Sequence, residues 1–293
     1  MDSTSPTLPD FDALWDYQQP AVSETRFREL LPAAQASGNA DYHAQLLTQI
    51  ARTQGLQRQF DAAHETLNGV QPMLSDQTPI ARVRYLLERG RVYNSARQPE
   101  QARPLFLEAW DAARTAGDDN LAVDAAHMMG IIEPLEEQIA WDERALQMAE
   151  NSEQPEARRW LGSLYNNLAW TYHDLGQYDR ALDLFMRAQV WHELYGTPYT
   201  IRVARWSIGR ALRSFEMLEE ALVIQRGLLR ELTTSGERDG YVYEELGECL
   251  LLKGELDEAA PYFRQAYLEL AQDQWLVANE PTRLERLKTL GNG

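Results

Sequence analysis

One frame recurs along this chain, and it constrains the fold more than any other feature. In Leu168-Ala169 and again in Leu246-Gly247, a large apolar residue precedes a small one. Tyr172 or Leu250 follows three residues after the small residue, and Gly176 or Gly254 seven after it. Ala181 or Ala259 comes twelve after it, with Phe185 and Ala188, or Phe263 and Ala266, four and seven further on. Gly90 leads in the same way to Tyr93, Ala102, Phe106 and Ala109. Gly209 leads to Leu212, Leu218 and Ala221, and Ala51 to Phe60, Ala63 and Leu67. The marker alanines Ala63, Ala102, Ala181, Ala221 and Ala259 are spaced 39, 79, 40 and 38 residues apart. The long gap must hold one more unit. Its first helix is expected over Ala122 to Ile132, with Met129-Gly130 in the frame, and its second over Leu135 to Ala149, with Pro134 marking it as atypical.

The apolar spacing is that of two amphipathic helices per unit. A small residue such as Ala169, Gly209 or Gly247 lets the paired helix approach closely, and the alanine of the second helix is expected to pack into that space. Gly176 and Gly254 suit the turn between the helices. Prolines 155, 198 and 281 suit helix starts. One pair alone leaves an apolar face bare, so neighbours must stack.

With Tyr165 or Tyr243 in its tryptophan slot, the frame resembles the tetratricopeptide repeat, over roughly residues 40 to 270. The long units are similar to those of kinesin light chain and of Gram-positive Rap-type regulators that bind signalling peptides. The segment Tyr165-Asn166-Asn167-Leu168-Ala169 carries the first of these likenesses. The fold expected is all-α, a right-handed α-solenoid of about six helix pairs with capping helices at both ends. Residues 1–39 would hold a disordered start (1–9), a short helix over Phe11 to Tyr17 and a helix from Ser23 to Ala36. Residues 40–270 would form the array, and 271–293 a cap with a helix over Pro281 to Leu290.

Composition narrows the function. The formal net charge is −17, which disfavours nucleic acid and anionic membranes. Cys249 is the single cysteine, so no intrachain disulfide forms. Residues 1–16 lack a basic region followed by an apolar one, and no stretch approaches eighteen apolar residues. The cytoplasm is the expected compartment. No phosphate-binding glycine loop, nucleophile elbow, His-Glu-x-x-His or Cys-x-x-Cys occurs. Neither an enzyme, a cofactor nor a metal site is expected.

The resemblance also implies which first-helix positions face a partner. They include Arg52 in the first unit, then Arg84, Arg91 and Asn94 in the second. Asn166, Trp170 and His173 follow in the fourth, Trp206, Arg210 and Arg213 in the fifth, and Tyr241 in the sixth. Arginine forks suit carboxylates, an asparagine amide can read a peptide main chain, and exposed tryptophans in a concavity are anchors for a partner. These residues predict a groove for an acidic peptide. The alternative is that the arginines pair with acids on adjacent second helices. The chain therefore reads as a protein- or peptide-binding scaffold or adaptor. A regulatory sensor that closes on a small peptide or metabolite is the other reading. Exposed aromatics and bare solenoid ends leave a homodimer open.

Overall fold

The computed structural model describes residues 8–292, and the expected disorder over 1–9 falls mainly outside them. Among the described residues every regular element is helical. The chain divides into two compact units, one ending at Trp160 and the other beginning at Leu161.

The N-terminal unit opens with a 3-10 turn over Asp12–Leu14, where a longer helix was expected, and then α1 (Pro20–Ala36). Helix α1 begins three residues before Ser23, because Pro20 takes the first helical position, where its missing N–H costs nothing. Ser23 is buried instead of capping. Its Oγ accepts from the Asp16 N–H at 2.8 Å and donates to the Asp16 carbonyl at 3.1 Å. Three hairpins follow. They are α2 (Ala40–Leu56) with α3 (Phe60–Val70), α4 (Pro79–Ser95) with α5 (Pro99–Ala116), and α6 (Asp119–Ile132) with α7 (Leu135–Asn151). A four-residue turn of helix, α8 (Pro155–Arg158), ends the unit.

The C-terminal unit repeats the plan. It pairs α9 (Leu161–Asp174) with α10 (Tyr178–Tyr195), α11 (Pro198–Ser214) with α12 (Leu218–Ser235), and α13 (Gly240–Leu252) with α14 (Leu256–Leu270). Short α15 (Gln274–Asn279) and α16 (Pro281–Gly291) close it. Leu284 and Leu287 of α16 are buried, and Arg264 Nε of α14 donates to the Gly291 carbonyl at 3.0 Å.

In the second and sixth hairpins the side chain four residues after the marker alanine lies nearest the small residue of the first helix. A Cβ on Gly90 would lie 2.4 Å from the Phe106 ring, and one on Gly247 would lie 2.9 Å from the Phe263 ring. The ring needs the room and the alanine methyl does not, so the aromatic occupies the gap. The same slot holds polar side chains in two hairpins. Gln225 sits against Gly209 at the spacing of the phenylalanines, and Asp142 against Gly130 at the marker spacing because the third connection is shorter, each within 2.4 Å of where a Cβ would be. Both polar side chains are buried.

The tight turn between paired helices requires a left-handed residue. Gly176 and Gly254 supply it at φ of 72° and 80°, as expected from their spacing. In three other hairpins Arg58, Arg97 and Glu216 adopt the same conformation at φ of 61° to 62°. A side chain there costs about 1–2 kcal/mol relative to glycine's free access. The third hairpin avoids the problem with Glu133 and Pro134 in extended conformation.

Candidate functional site

The predicted contact residues all lie on the first helices of the hairpins. In the N-terminal unit the first-helix face is built from α2, α4 and α6. Arg52 Nη1 donates to Glu88 Oε1 at 3.0 Å, and Arg91 Nη1 to the same oxygen at 2.5 Å. The other end of the Arg91 fork pairs with Asp124 of α6. Burial works against charge on Arg52, but Glu88 and Asp124 more than compensate and hold its pKa above the ordinary arginine value. Burial likewise opposes charge on Asp124, yet Arg91 and Arg52 keep its carboxyl below the usual range. Beside this network lies a recess of about 240 Å³ lined by Arg52, Glu88, Arg91, Asn94, Ser95 and Met128, among others. Arg84 of α4 stands apart from the network and pairs with Asp12.

In the C-terminal unit the corresponding face runs across α9, α11 and α13 and is aromatic. The Trp170 and Trp206 rings lie 5.9 Å apart, and the Trp206 and Tyr241 rings 5.9 Å apart. Trp170 rests edge-on against Phe185 of the core at 4.9 Å. Trp206 Nε1 donates to the Tyr241 carbonyl at 3.1 Å, which fixes the middle rung of this ladder. Both tryptophans are half-buried and Tyr241 is 36% exposed. A cavity of about 190 Å³ opens beside Trp206 and Tyr241, walled by Tyr199, Val203, Leu228 and Val242. Asn166 lies one turn before Trp170 on α9, half-buried, and its Nδ2 donates to Asn167 Oδ1 at 3.4 Å.

His173 is buried rather than offered to a partner. One ring nitrogen lies 2.9 Å from Ser214 Oγ, so the imidazole joins α9 to α11, and burial lowers its pKa. Arg213 grips Glu245 with two bonds of 2.7 and 3.1 Å, and Arg210 reaches the same carboxylate at 3.2 Å. Burial depresses Arg210, with Glu245 opposing. For Arg213 the burial penalty is outweighed by the Glu245 bonds. Arg283 and Arg286 of α16 pair in turn with Glu244 and Glu248 of α13.

The arginines are therefore not free cations awaiting acid. Nor do they follow the alternative of pairing with second helices. Arg52, Arg91, Arg210 and Arg213 each bridge to a carboxylate on the next first helix. A buried arginine loses too much hydration to stay unpaired. The acids that receive them carried a readable signal. Glu88 and Glu245 each stand two residues before the small residue of their repeat, and Arg52 and Arg210 directly follow the small residue of the repeat before.

The sequence profile of the tetratricopeptide repeat matches residues 162–189, which span α9 and most of α10. Similar solved structures cover nearly all of the chain. The apo form of RapI superposes with a TM-score of 0.72 at 14% identity, over 90% of this chain and 74% of that one. The fold is that of a tetratricopeptide-repeat solenoid. A signal transduction ATPase with numerous domains and a tetratricopeptide repeat sensor, from Pyrococcus horikoshii, gives 0.71 at 15% identity over 92% of this chain. This solenoid spans 43% of that larger protein's length. NprR in complex with its cognate peptide NprX gives 0.51 at 16% identity, over 95% and 80% of the two chains. No curated protein sequence matches the solenoid. No helix among the described residues is long and apolar enough to cross a membrane.

Proposed function

We propose that this solenoid works by binding, not by catalysis, and that the first-helix face of its C-terminal unit holds a peptide segment of a protein partner. The observation that carries the reading is the ladder Trp170–Trp206–Tyr241. Three large rings on the first helices of three successive hairpins stay partly exposed, although the hairpin cores beneath them are already filled by Phe185, Leu222 and Phe263. Rings held this rigidly offer contact area at little entropic cost, which is why such residues dominate binding energy. Asn166, at the edge of the ladder, supplies an amide that can donate to and accept from a partner's main chain. The peptide-bound state of NprR, which shares the fold, supports a peptide as ligand. Arg210 and Arg213 are occupied by Glu245, so apolar side chains and main-chain contacts select the partner here, and an acidic sequence gains little from them.

The test is a peptide-display selection on the whole protein, followed by affinity measurement against wild type and Trp206→Ala. Loss of an anchoring tryptophan costs about 2 kcal/mol or more, close to thirtyfold in affinity. Selected peptides that bind the variant as tightly as wild type, or a selection that enriches none, would refute the proposal.

A further inference from the structure

We infer that residues 9–17 are a resident ligand on the first-helix face of the N-terminal unit, and that this face accepts an acidic, aromatic peptide segment in their place. The inference is independent of the aromatic ladder in the other unit.

The segment reads Pro9-Asp10-Phe11-Asp12-Ala13-Leu14-Trp15-Asp16-Tyr17, with three carboxylates, three aromatic rings and no basic residue. It lies on the residues that sequence reasoning assigned to an acidic partner. The Arg84 fork takes the Asp12 carboxylate, with Nη1 donating at 3.1 Å, and its guanidinium stands 5.4 Å from the Phe11 ring. The Arg52 guanidinium stands 5.8 Å from the Trp15 ring and 5.6 Å from the Tyr17 ring, which stack on each other at 4.7 Å. Trp15 Nε1 donates to Gln49 Oε1 of α2 at 3.1 Å. Phe11 is buried, edge-on to Tyr42 at 5.2 Å, and the Tyr42 hydroxyl donates to the Pro9 carbonyl at 2.8 Å.

The segment reaches further than an ordinary cap. Phe11, Leu14 and Trp15 join Phe27 and Ala34 of α1 on Leu46 and Ile50 of α2, over the first hairpin. Residues 9–17 pass beyond it to α4, where Asp12 meets an arginine 72 positions later in the chain. Its regular structure is one 3-10 turn, Tyr17 is 58% exposed, and the side chains of Ser23, Arg26 and Tyr42 hold its backbone. A tethered occupant of this kind acts at an effective concentration near millimolar, so an untethered competitor must exceed that advantage to replace it.

The test uses the whole chain and, as probe, a fluorescent peptide copying residues 8–18. Wild type should bind it weakly, because the resident copy holds the face. The double variant Asp12→Arg, Trp15→Ala should bind it about tenfold more tightly or better, and adding Arg84→Glu should abolish that gain. A scrambled peptide should bind neither. If the double variant keeps its helical circular dichroism and melting temperature yet binds the probe no better than wild type, the inference is wrong. Should that variant fail to fold, hydrogen exchange on wild type decides. Amides of 9–17 must exchange far faster than those of α2, and equal protection overturns the proposal.

Discussion

Asp142→Asn should stabilise the protein near neutral pH and leave it unchanged in mild acid. Asp142 occupies the slot that Phe106, Phe185 and Phe263 fill in other hairpins, pressed against Gly130 and 6% exposed. Burial pushes its carboxyl up to about 6 from an ordinary 3.8, and the Gln138 side chain opposes this only in part. A folded-state pKa above the unfolded value means that the native protein keeps the proton longer than the unfolded chain does. Stability therefore falls as pH rises from about 4 to 6, and the full penalty persists above that. A shift of about two units corresponds to about 3 kcal/mol. Asparagine keeps the shape and never ionises. Some of the gain is lost because its amide donates where the carboxylate accepted, which leaves about 2 kcal/mol. Guanidinium unfolding followed by circular dichroism, at about pH 4 and pH 7.5, measures the difference between variant and wild type. A difference that is the same at both pH values, or a variant less stable than wild type at pH 7.5, would refute the reasoning.

Gly90→Ala should destabilise the second hairpin by about 1–3 kcal/mol, because the new methyl meets the Phe106 ring at 2.4 Å; a lowered urea midpoint checks it. Glu216→Gly should raise the melting temperature, gaining about 0.5–1 kcal/mol by relieving a left-handed side chain at φ 61°. Glu245→Ala should cost about 3–5 kcal/mol in denaturant titration, since Arg210 and Arg213 would both lose the carboxylate they bond directly. Cys249 is fully buried and its thiol is pushed up to about 12, first by burial and then by Glu245; it should react with a thiol reagent only after denaturant is added.

The helical hairpins were legible because their signal is repeated. A frame recurring at Gly90, Ala169, Gly209 and Gly247 needs no tertiary knowledge to be seen. Two rungs of the ring ladder were legible as well, since Trp170 and Trp206 occupy first-helix positions that the repeat frame does not require for its core. The arginines misled because a side chain's register says which way it points, and the partner it meets depends on the neighbouring helix. Glu88 and Glu245 were outside the expected partner-facing positions, yet each is close enough to take an arginine from the repeat before. Asp142 and Gln225 were hidden for the opposite reason. A polar residue in a slot that holds phenylalanine elsewhere breaks the pattern that would have drawn attention to it. Asp12 was out of reach altogether, because a contact 72 residues away leaves no local trace.

The carboxylates on the first helices give each unit two kinds of mortar. Phe106 and Phe263 set the two helices of their hairpins, whereas ionic clasps such as Arg91 to Asp124 fasten one hairpin to the next. Asp124 has its pKa held below the usual carboxylate range, so its clasp outlasts mild acid and is lost only when the pH falls through that depressed value. Strong acid would thus loosen the courses before it crumbles the bricks, giving a state rich in helix whose repeats no longer melt together.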